Sequence, residues 1–412
     1  MEKKKKIPRI DRTKARQMLF DLAEEPEKEQ ISLENSYGRV LAEDIKAEEN
    51  VPAFAKSPLD GYALRGEDTK NASLEHPVTL KITEEIPAGG VPHIAVTKGW
   101  AAKILTGAPV PEGCNAVERF EATEFTEDTV TFTKPVTPNT NIVPAGDDIM
   151  TGRVVAEKGE KITPPIAGML AALGYIEVPV YKKPFVTIIS TGSELVGPGE
   201  KPGKGQIRNS SYHLIRGYLE EAGAEVGSLD IIFDDVDSIA EKLDEVLKRS
   251  DMVITTGGVS VGDYDLVLAA TEKIGAERLY WKVKFRPGGT MLAAQKNGKL
   301  ILGLSGNPAS ASIALHLLGI PFIKKLQGMP GEVPERIRVE LLDPITKDSP
   351  YGRLVRGRLV LKNGKTYFKS MDWQGNGALS SLLGCDLIAD LPEETPPLPA
   401  GTVVDAYHIL KL

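Results

Sequence analysis

Between Lys182 and about Leu326 the chain passes repeatedly from short apolar runs to segments with helical periodicity, and this alternation restricts its fold more than any other feature. The pattern predicts a strand at Phe185–Ile189, a helix near 210 to 222, a strand near 226 to 233, a helix near 237 to 249 and a strand at 251 to 255. Strands that recur with a helix between them run parallel, because a parallel pair needs a crossover of about that length. The segment is therefore expected to form an α/β layer whose ligands bind beyond the carboxyl ends of its strands. Three polar turns fall at such ends: Ser190 to Glu194, Thr255 to Asp265, and Leu304-Ser305-Gly306-Asn307-Pro308.

The second turn follows the apolar run Met252-Val253-Ile254 and reads Thr255-Thr256-Gly257-Gly258-Val259-Ser260-Val261-Gly262-Asp263-Tyr264-Asp265. Glycines let backbone N–H groups approach anionic oxygens, and Thr256 and Ser260 add hydroxyl donors. Asp263 and Asp265 repel a bare phosphate, so acids at this spacing fit one bridged by Mg²⁺. Taken alone, the stretch is equally a strand-to-helix turn whose Gly and Asp residues serve only the backbone and a cap. Three such turns at strand ends favour a binding site.

Around this segment the pattern differs. Residues 12 to 24 carry a helical stripe of Ala15, Met18, Leu19, Leu22 and Ala23, whereas Val51 to about Asp148 is rich in Pro, Gly and short β-like runs. Residues 164 to 173 return to a helix, with Pro164-Pro165 at its start and Gly174 at its end. Beyond Met329-Pro330-Gly331 the chain is again β-like, with an Asn363-Gly364 hairpin signal. The expected units are 1–50 with 149–181, an inserted β-rich domain at 51–148, the α/β domain at 182–328 and a β-rich domain at 329–412.

At 412 residues with 41% hydrophobic and 26% charged content, the chain can bury several cores. Its net charge of −7 and dispersed basic residues argue against nucleic acid as a partner. The basic start Lys3-Lys4-Lys5-Lys6 lacks the apolar core of a signal peptide, and no run of about 18 apolar residues suggests a membrane span. Cys114 and Cys385 have neither disulfide-framework nor zinc spacing, so a cytoplasmic protein is expected. The five histidines show no ligand spacing, and nothing suggests a catalytic triad. Acids at turns (Asp60, Asp148, Glu194, Asp234, Asp263, Asp265) and bases at Lys282, Lys284, Arg286, Arg353, Arg356 and Arg358 favour Mg²⁺-assisted phosphoryl chemistry. Lys282 and Arg286 flank Pro287-Gly288-Gly289, a turn suited to presenting a cation to an oxyanion.

Six strings occur in a telling order: Ser57-Pro58-Leu59-Asp60-Gly61-Tyr62-Ala63, Leu105-Thr106-Gly107-Ala108-Pro109-Val110-Pro111, Gly146-Asp147-Asp148-Ile149, Thr191-Gly192-Ser193-Glu194-Leu195, Thr255 to Asp265, and Gly303-Leu304-Ser305-Gly306-Asn307-Pro308. In this order the chain resembles the molybdopterin molybdenumtransferases, the MoeA proteins and the gephyrin E domain, from about residue 8 onward. The resemblance implies an elongated homodimer with four domains per subunit, a MogA-like central α/β domain and a C-terminal β-barrel-like domain. It implies insertion of molybdate into adenylylated molybdopterin with release of AMP, in a cleft shared between subunits, and a transient contact with the adenylyltransferase. By motif it assigns Glu194, Asp234 and Asp265 to Mg²⁺, with Asp60, Thr106, Asp148 and Glu194 as catalytic positions. Thr256, Gly257, Gly258, Ser260, Gly306, Asn307 and Pro308 would hold the pterin, and Lys282, Arg286, Arg356 and Ser381 the molybdate.

Several positions depart from the family pattern. Arg286-Pro287-Gly288-Gly289 stands where Lys-Pro-Gly-Lys is usual, Ser305 where Pro is usual, Gln374-Gly375-Asn376-Gly377 where Gln-Gly-Ser-Gly is usual, and Cys114-Asn115-Ala116-Val117-Glu118 where Ala-Asp-Ala-Val-Val is frequent. They leave molybdate and tungstate both open as the anion. A nucleotide-processing relative of the competence-inducible type does not account for the Asp60, Thr106 and Asp148 motifs. A non-catalytic cofactor-binding or scaffold protein is the reading from another class.

Overall fold

The computed structural model describes residues 9–227, 230–259, 265–330, 335–349 and 351–409. A seven-stranded sheet forms the centre. Phe185–Thr191 pairs in parallel with Met252–Thr256, which pairs in parallel with Lys299–Leu304. On its other side Phe185–Thr191 meets Glu225–Val226 and then Asp230–Ile232, so the strand expected near 226 to 233 is two short pieces. Leu292–Lys296 and Glu277–Trp281 close the opposite edge antiparallel. The antiparallel turn follows from Asn297-Gly298, both at positive φ (54° and 77°), which reverses the chain in two residues and leaves no room for a crossover.

The long parallel strands are buried along nearly their whole length, and apolar except for a few Thr and Ser, because both faces are covered. Val186, Ile188, Met252, Ile254, Leu300 and Leu302 face one cluster, with Tyr212, Ile215 and Leu219 of the Ser210–Glu221 helix and Ile313, Leu317 and Phe322 of the segment 308–326. Ile189, Val253 and Ile301 face the other, with Ile239, Leu243 and Val246 of the Val236–Leu247 helix and Ala270 of Leu266–Lys273. Alternate residues thus serve opposite cores, as the period of a strand requires.

Three further units flank this sheet. Lys28–Ser32 pairs with Glu177–Tyr181, and Ile45–Lys46 with Val154–Ala156, joining the chain on either side of the insertion. The first helix, Arg12–Phe20, is shorter than the periodicity of residues 12 to 24, and it does not pack with that unit. Its buried Ala15 and Leu19 enter the core of the α/β domain. Between Val51 and Asp148 lies a six-stranded sheet. Near the C-terminus five strands, 336–341, 353–362, 365–370, 387–391 and 403–408, close a barrel. The Asn363-Gly364 turn joins two of them with both residues at positive φ (51° and 74°).

Pro308–Leu326 is a continuous 19-residue helix, π-wound at Leu315–Gly319, with the length and composition of a membrane span. Since 78% of its apolar window is buried within the protein, it is the core helix of the α/β domain. His316 lies inside it, with Nδ1–H donating to the Ser312 carbonyl at 2.8 Å and Tyr218 packed edge-on at 4.4 Å. Burial holds its pKa below the ordinary 6.5. The unfolded chain therefore takes up a proton that the folded one refuses, and stability falls as pH drops below about 6.5, by about 1.4 kcal/mol per pH unit until the folded pKa is passed. Melting temperatures between pH 7 and 5 should show this slope in the wild type and a flatter one in His316→Leu. Equal slopes would remove His316 from the acid response.

Candidate functional site: a cationic cleft at the strand ends

Because Phe185–Thr191, Met252–Thr256 and Lys299–Leu304 are adjacent and parallel, the turns that follow them emerge side by side. Backbone approach there is close. Gly257 has φ +92°, its N–H donates to the Leu304 carbonyl at 3.1 Å, and a Cβ in its place would collide with the Thr191 carbonyl. Gly306 sits against Gly257, and its own carbonyl accepts from Ser211 Oγ at 3.2 Å. Beside these turns opens a cleft of about 620 Å³ whose walls include Gly257, Gly258, Ser305, Gly306 and Asn307, the loop from Phe285 to Thr290, Arg9 and Asn376. Among the described residues Arg9 and Arg286 are its charged lining residues, and none of the lining residues is a carboxylate.

The cationic loop is held on two sides. Ile10 N–H donates to the Lys282 carbonyl at 3.0 Å and Lys284 N–H to the Ile10 carbonyl at 2.9 Å. Arg286 N–H donates to the Gly352 carbonyl at 2.8 Å, and Leu354 N–H to the Arg286 carbonyl at 2.7 Å. Within the loop Val283 N–H donates to the Gly289 carbonyl at 2.7 Å. A side chain at 289 would run into the carbonyl oxygens of Phe285 and Val283, so glycine here is a requirement of the loop and not a vacancy for a lysine. Ser310 N–H donates to the Asn376 carbonyl at 3.2 Å, bringing a loop of the C-terminal unit to the cleft wall.

The structure does not bring all the expected site residues to one place. Gly257, Gly258, Gly306, Asn307 and Arg286 line the cleft, whereas Thr256 is buried beneath it with Oγ1 donating to Ser190 Oγ at 3.1 Å, and Pro308 opens the core helix. Ser260 lies outside the described residues, as does Asp263. Lys282 turns its ammonium over the Trp281 ring at 4.3 Å. Arg356 is fully buried, Nη2 donating to the Gly375 carbonyl at 2.9 Å while Nε and Nη1 have no partner among the described residues. Ser381 is buried too, with Oγ donating to the Ala378 carbonyl. Asp60 and Thr106 meet within the six-stranded sheet unit, where the carboxylate accepts from Thr106 N–H at 2.7 Å and Oγ1 at 2.8 Å. Those bonds hold the Asp60 pKa below the usual carboxylate value. Asp148 lies at the end of the same unit, its backbone carbonyl accepting from Arg153.

The acids assigned to metal sit at neighbouring strand ends. Asp234 follows Asp230–Ile232 and accepts from Ser193 N–H at 3.2 Å and Oγ at 3.1 Å, beside Glu194. Asp265 caps the Leu266–Lys273 helix through Oδ1, which accepts from Leu268 N–H at 3.1 Å. Its Oδ2 is buried without a partner among the described residues, and burial pushes the carboxyl up to about 6 against the opposing pull of the Leu268 N–H and the Lys282 charge. A buried, unsatisfied carboxylate oxygen is what a hard cation neutralises, so Asp265 fits Mg²⁺. No group of three His, Cys, Asp or Glu stands at metal-holding distance among the described residues.

Sequence reasoning missed Arg9 as a site residue and treated Asn376 only as a departure. Arg9 carries no local signal, because only pairing between Ile10 and Val283 brings it to the cleft.

Comparison with known proteins covers nearly the whole chain. Residues 10–174 match the MoeA N-terminal region (domain I and II), 187–325 a probable molybdopterin binding domain, and 338–409 the MoeA C-terminal region (domain IV). A molybdopterin molybdenumtransferase of Staphylococcus aureus (strain Mu50 / ATCC 700699) is 38% identical over 375 residues, covering 91% of this chain and 90% of its own length. A solved molybdopterin biosynthesis MoeA protein from Pyrococcus horikoshii OT3 has a TM-score of 0.83 at 31% identity, over 97% of this chain and 100% of the other. A second Pyrococcus MoeA structure reaches 0.87 at 28% identity, over 98% and 100%.

The tightness at Gly257 is testable. Gly257→Ala should destabilise the protein by about 1–3 kcal/mol more than Gly205→Ala, which shares a positive φ but has open space around it. Thermal melts of both variants give the comparison, and equal losses would mean that the Thr191 carbonyl yields freely.

Proposed function

The chain belongs to the MoeA family of molybdopterin molybdenumtransferases and is a transferase, and from that premise we propose that it inserts molybdate into adenylylated molybdopterin with Mg²⁺-dependent release of AMP. The observation that carries this reading is the cleft itself, a glycine-walled pocket whose charged lining among the described residues is guanidinium alone, with acids at neighbouring strand ends. Molybdate is a tetrahedral dianion, so the cation-rich wall is where it binds, with Arg286 offering a planar fork to two oxygens at once. Arg356 is the deeper candidate, since its Nε and Nη1 are buried without acceptors and a bound oxyanion would satisfy them.

The phosphorylated end of the pterin is assigned to the Gly257-Gly258 and Ser305-Gly306-Asn307 turns, where small residues let the backbone come close. Asp265, with Glu194 and Asp234, would hold Mg²⁺, which when bound neutralises charge on the anhydride phosphates. The acids are thus kept on the metal side and the guanidiniums on the oxyanion side. Asp60, Thr106 and Asp148 belong to the inserted unit, and under this reading they complete the cleft of a second subunit. Support for a dimer comes from the Pro164–Ala172 helix, nine largely apolar residues of which only Leu170 is buried. Tungstate shares the shape and charge of molybdate, and the same assay with tungstate reads the preference.

The direct test supplies adenylylated molybdopterin, molybdate and Mg²⁺ to the full chain and measures AMP. Release should need both molybdate and Mg²⁺, and folded protein that releases none overturns the assignment. Asp265→Asn keeps an oxygen for the Leu268 cap, so it should retain the wild-type melting temperature within a few degrees, lose turnover by about a hundredfold or more, and lose any Mg²⁺-induced rise in melting temperature. Sedimentation should give twice the 44.5 kDa chain mass. Ala171→Glu, which charges the apolar helix, should shift that equilibrium toward monomer, and an unshifted dimer would place the interface elsewhere.

A further inference from the structure

Among the described residues two guanidiniums and no carboxylate face the cleft, and they come from distant parts of the chain. Arg286 belongs to the loop after the Glu277–Trp281 strand. Arg9 precedes Ile10, whose backbone pairs with Lys282 and Lys284, so a backbone ladder fixes its place and not merely the reach of a long side chain. Both guanidiniums address one aromatic ring: the Arg286 Cζ lies 4.2 Å from the Tyr351 centroid and the Arg9 Cζ 5.6 Å. The two carbons therefore lie within about 10 Å of each other, a span that a tetrahedral oxyanion with a guanidinium on each side can bridge.

Neither group has a carboxylate at ion-pair distance among the described residues. Two like charges held this near one another repel, and a shared aromatic face offsets only part of that repulsion. An anion between them removes it. Position 289 can contribute no such charge, because the carbonyl oxygens of Phe285 and Val283 exclude any side chain there.

We propose that Arg9 is a substrate-binding residue, gripping with Arg286 a tetrahedral oxyanion at the cleft wall, either free molybdate or the phosphoryl group of the nucleotide half of the substrate. The proposal rests on the reading of this cleft as the oxyanion site. Its Arg9 term is separable, because Arg286 tests the cleft and Arg9 tests the second cation.

Calorimetric titration of the full chain with sodium molybdate and, separately, with AMP distinguishes the two sources. Arg9→Ala and Arg9→Gln should each weaken one of the two anions by about tenfold or more, with melting temperatures unchanged. Arg9→Lys should restore part of the loss, since it returns the charge without the fork. Arg286→Ala should weaken the same anion. If both neutral Arg9 variants bind molybdate and AMP as the wild type does while Arg286→Ala loses binding, Arg9 is no ligand and the proposal falls alone. If Arg286→Ala also binds both anions normally, or the wild type binds neither, the oxyanion reading of the cleft falls with it.

Discussion

The backbone of residues 282–286 is hydrogen-bonded on two sides at once, and the arrangement of the cleft hangs on that fact. One side takes Ile10 as an extra strand residue, and the other takes Gly352 and Leu354 of the C-terminal barrel. Backbone polar groups near a core need partners, so a loop leaving the last strand of the sheet has to find them outside that sheet. The partners chosen here come from the two ends of the protein. Arg9, Arg286 and Tyr351 meet because the backbone groups beside them have been paired, and the internal bond from Val283 to Gly289 draws the loop tight enough to forbid a side chain at 289.

Much of the α/β core was legible because its physics is local and periodic. Apolar runs such as Met252-Val253-Ile254 mark strands covered on both faces, and Gly257 and Gly306 mark places where backbones nearly touch. Asn363-Gly364 announced its hairpin, and Asn297-Gly298 carries the same signal for the antiparallel edge of a sheet expected to be mostly parallel. The two-residue strand Glu225–Val226 and its three-residue continuation are too short to show a period. The destination of the first helix was illegible for another reason: the stripe through Ala15 and Leu19 says that one face is buried and nothing about against what. Within the site the same boundary holds. Turn glycines could be read, whereas Arg9, the buried unpaired nitrogens of Arg356 and the orphaned oxygen of Asp265 arise only when distant segments close around them.

Charge is sorted by the architecture. Glu194 and Asp234 follow strands on one side of the glycine turns, Asp265 caps the helix that comes after them, and Arg286 and Arg9 stand in a wall without acids among the described residues. Mixing the two sets would let them neutralise one another as surface ion pairs, which contribute little and bind nothing. Separation goes with groups that lack partners among the described residues, Asp265 Oδ2 and the Nε and Nη1 of Arg356. For Asp265 the cost appears as a carboxyl pushed up by burial, and for Arg356 as a guanidinium whose charge burial disfavours.

The cleft draws on residue 9, residues 257 and 258, the 285–290 loop, residues 305–307 and residue 376. During synthesis the central sheet has all its strands once Leu304 has emerged, yet the wall remains open until the barrel strand beginning at Arg353 binds the Arg286 loop and Asn376 reaches Ser310. Domains generally form in order from the N-terminus, and contacts between distant positions form late. A nascent chain therefore carries a finished sheet without a finished pocket. The wall is complete only with nearly the last tenth of the polypeptide, so the pocket is the last feature of the fold to form.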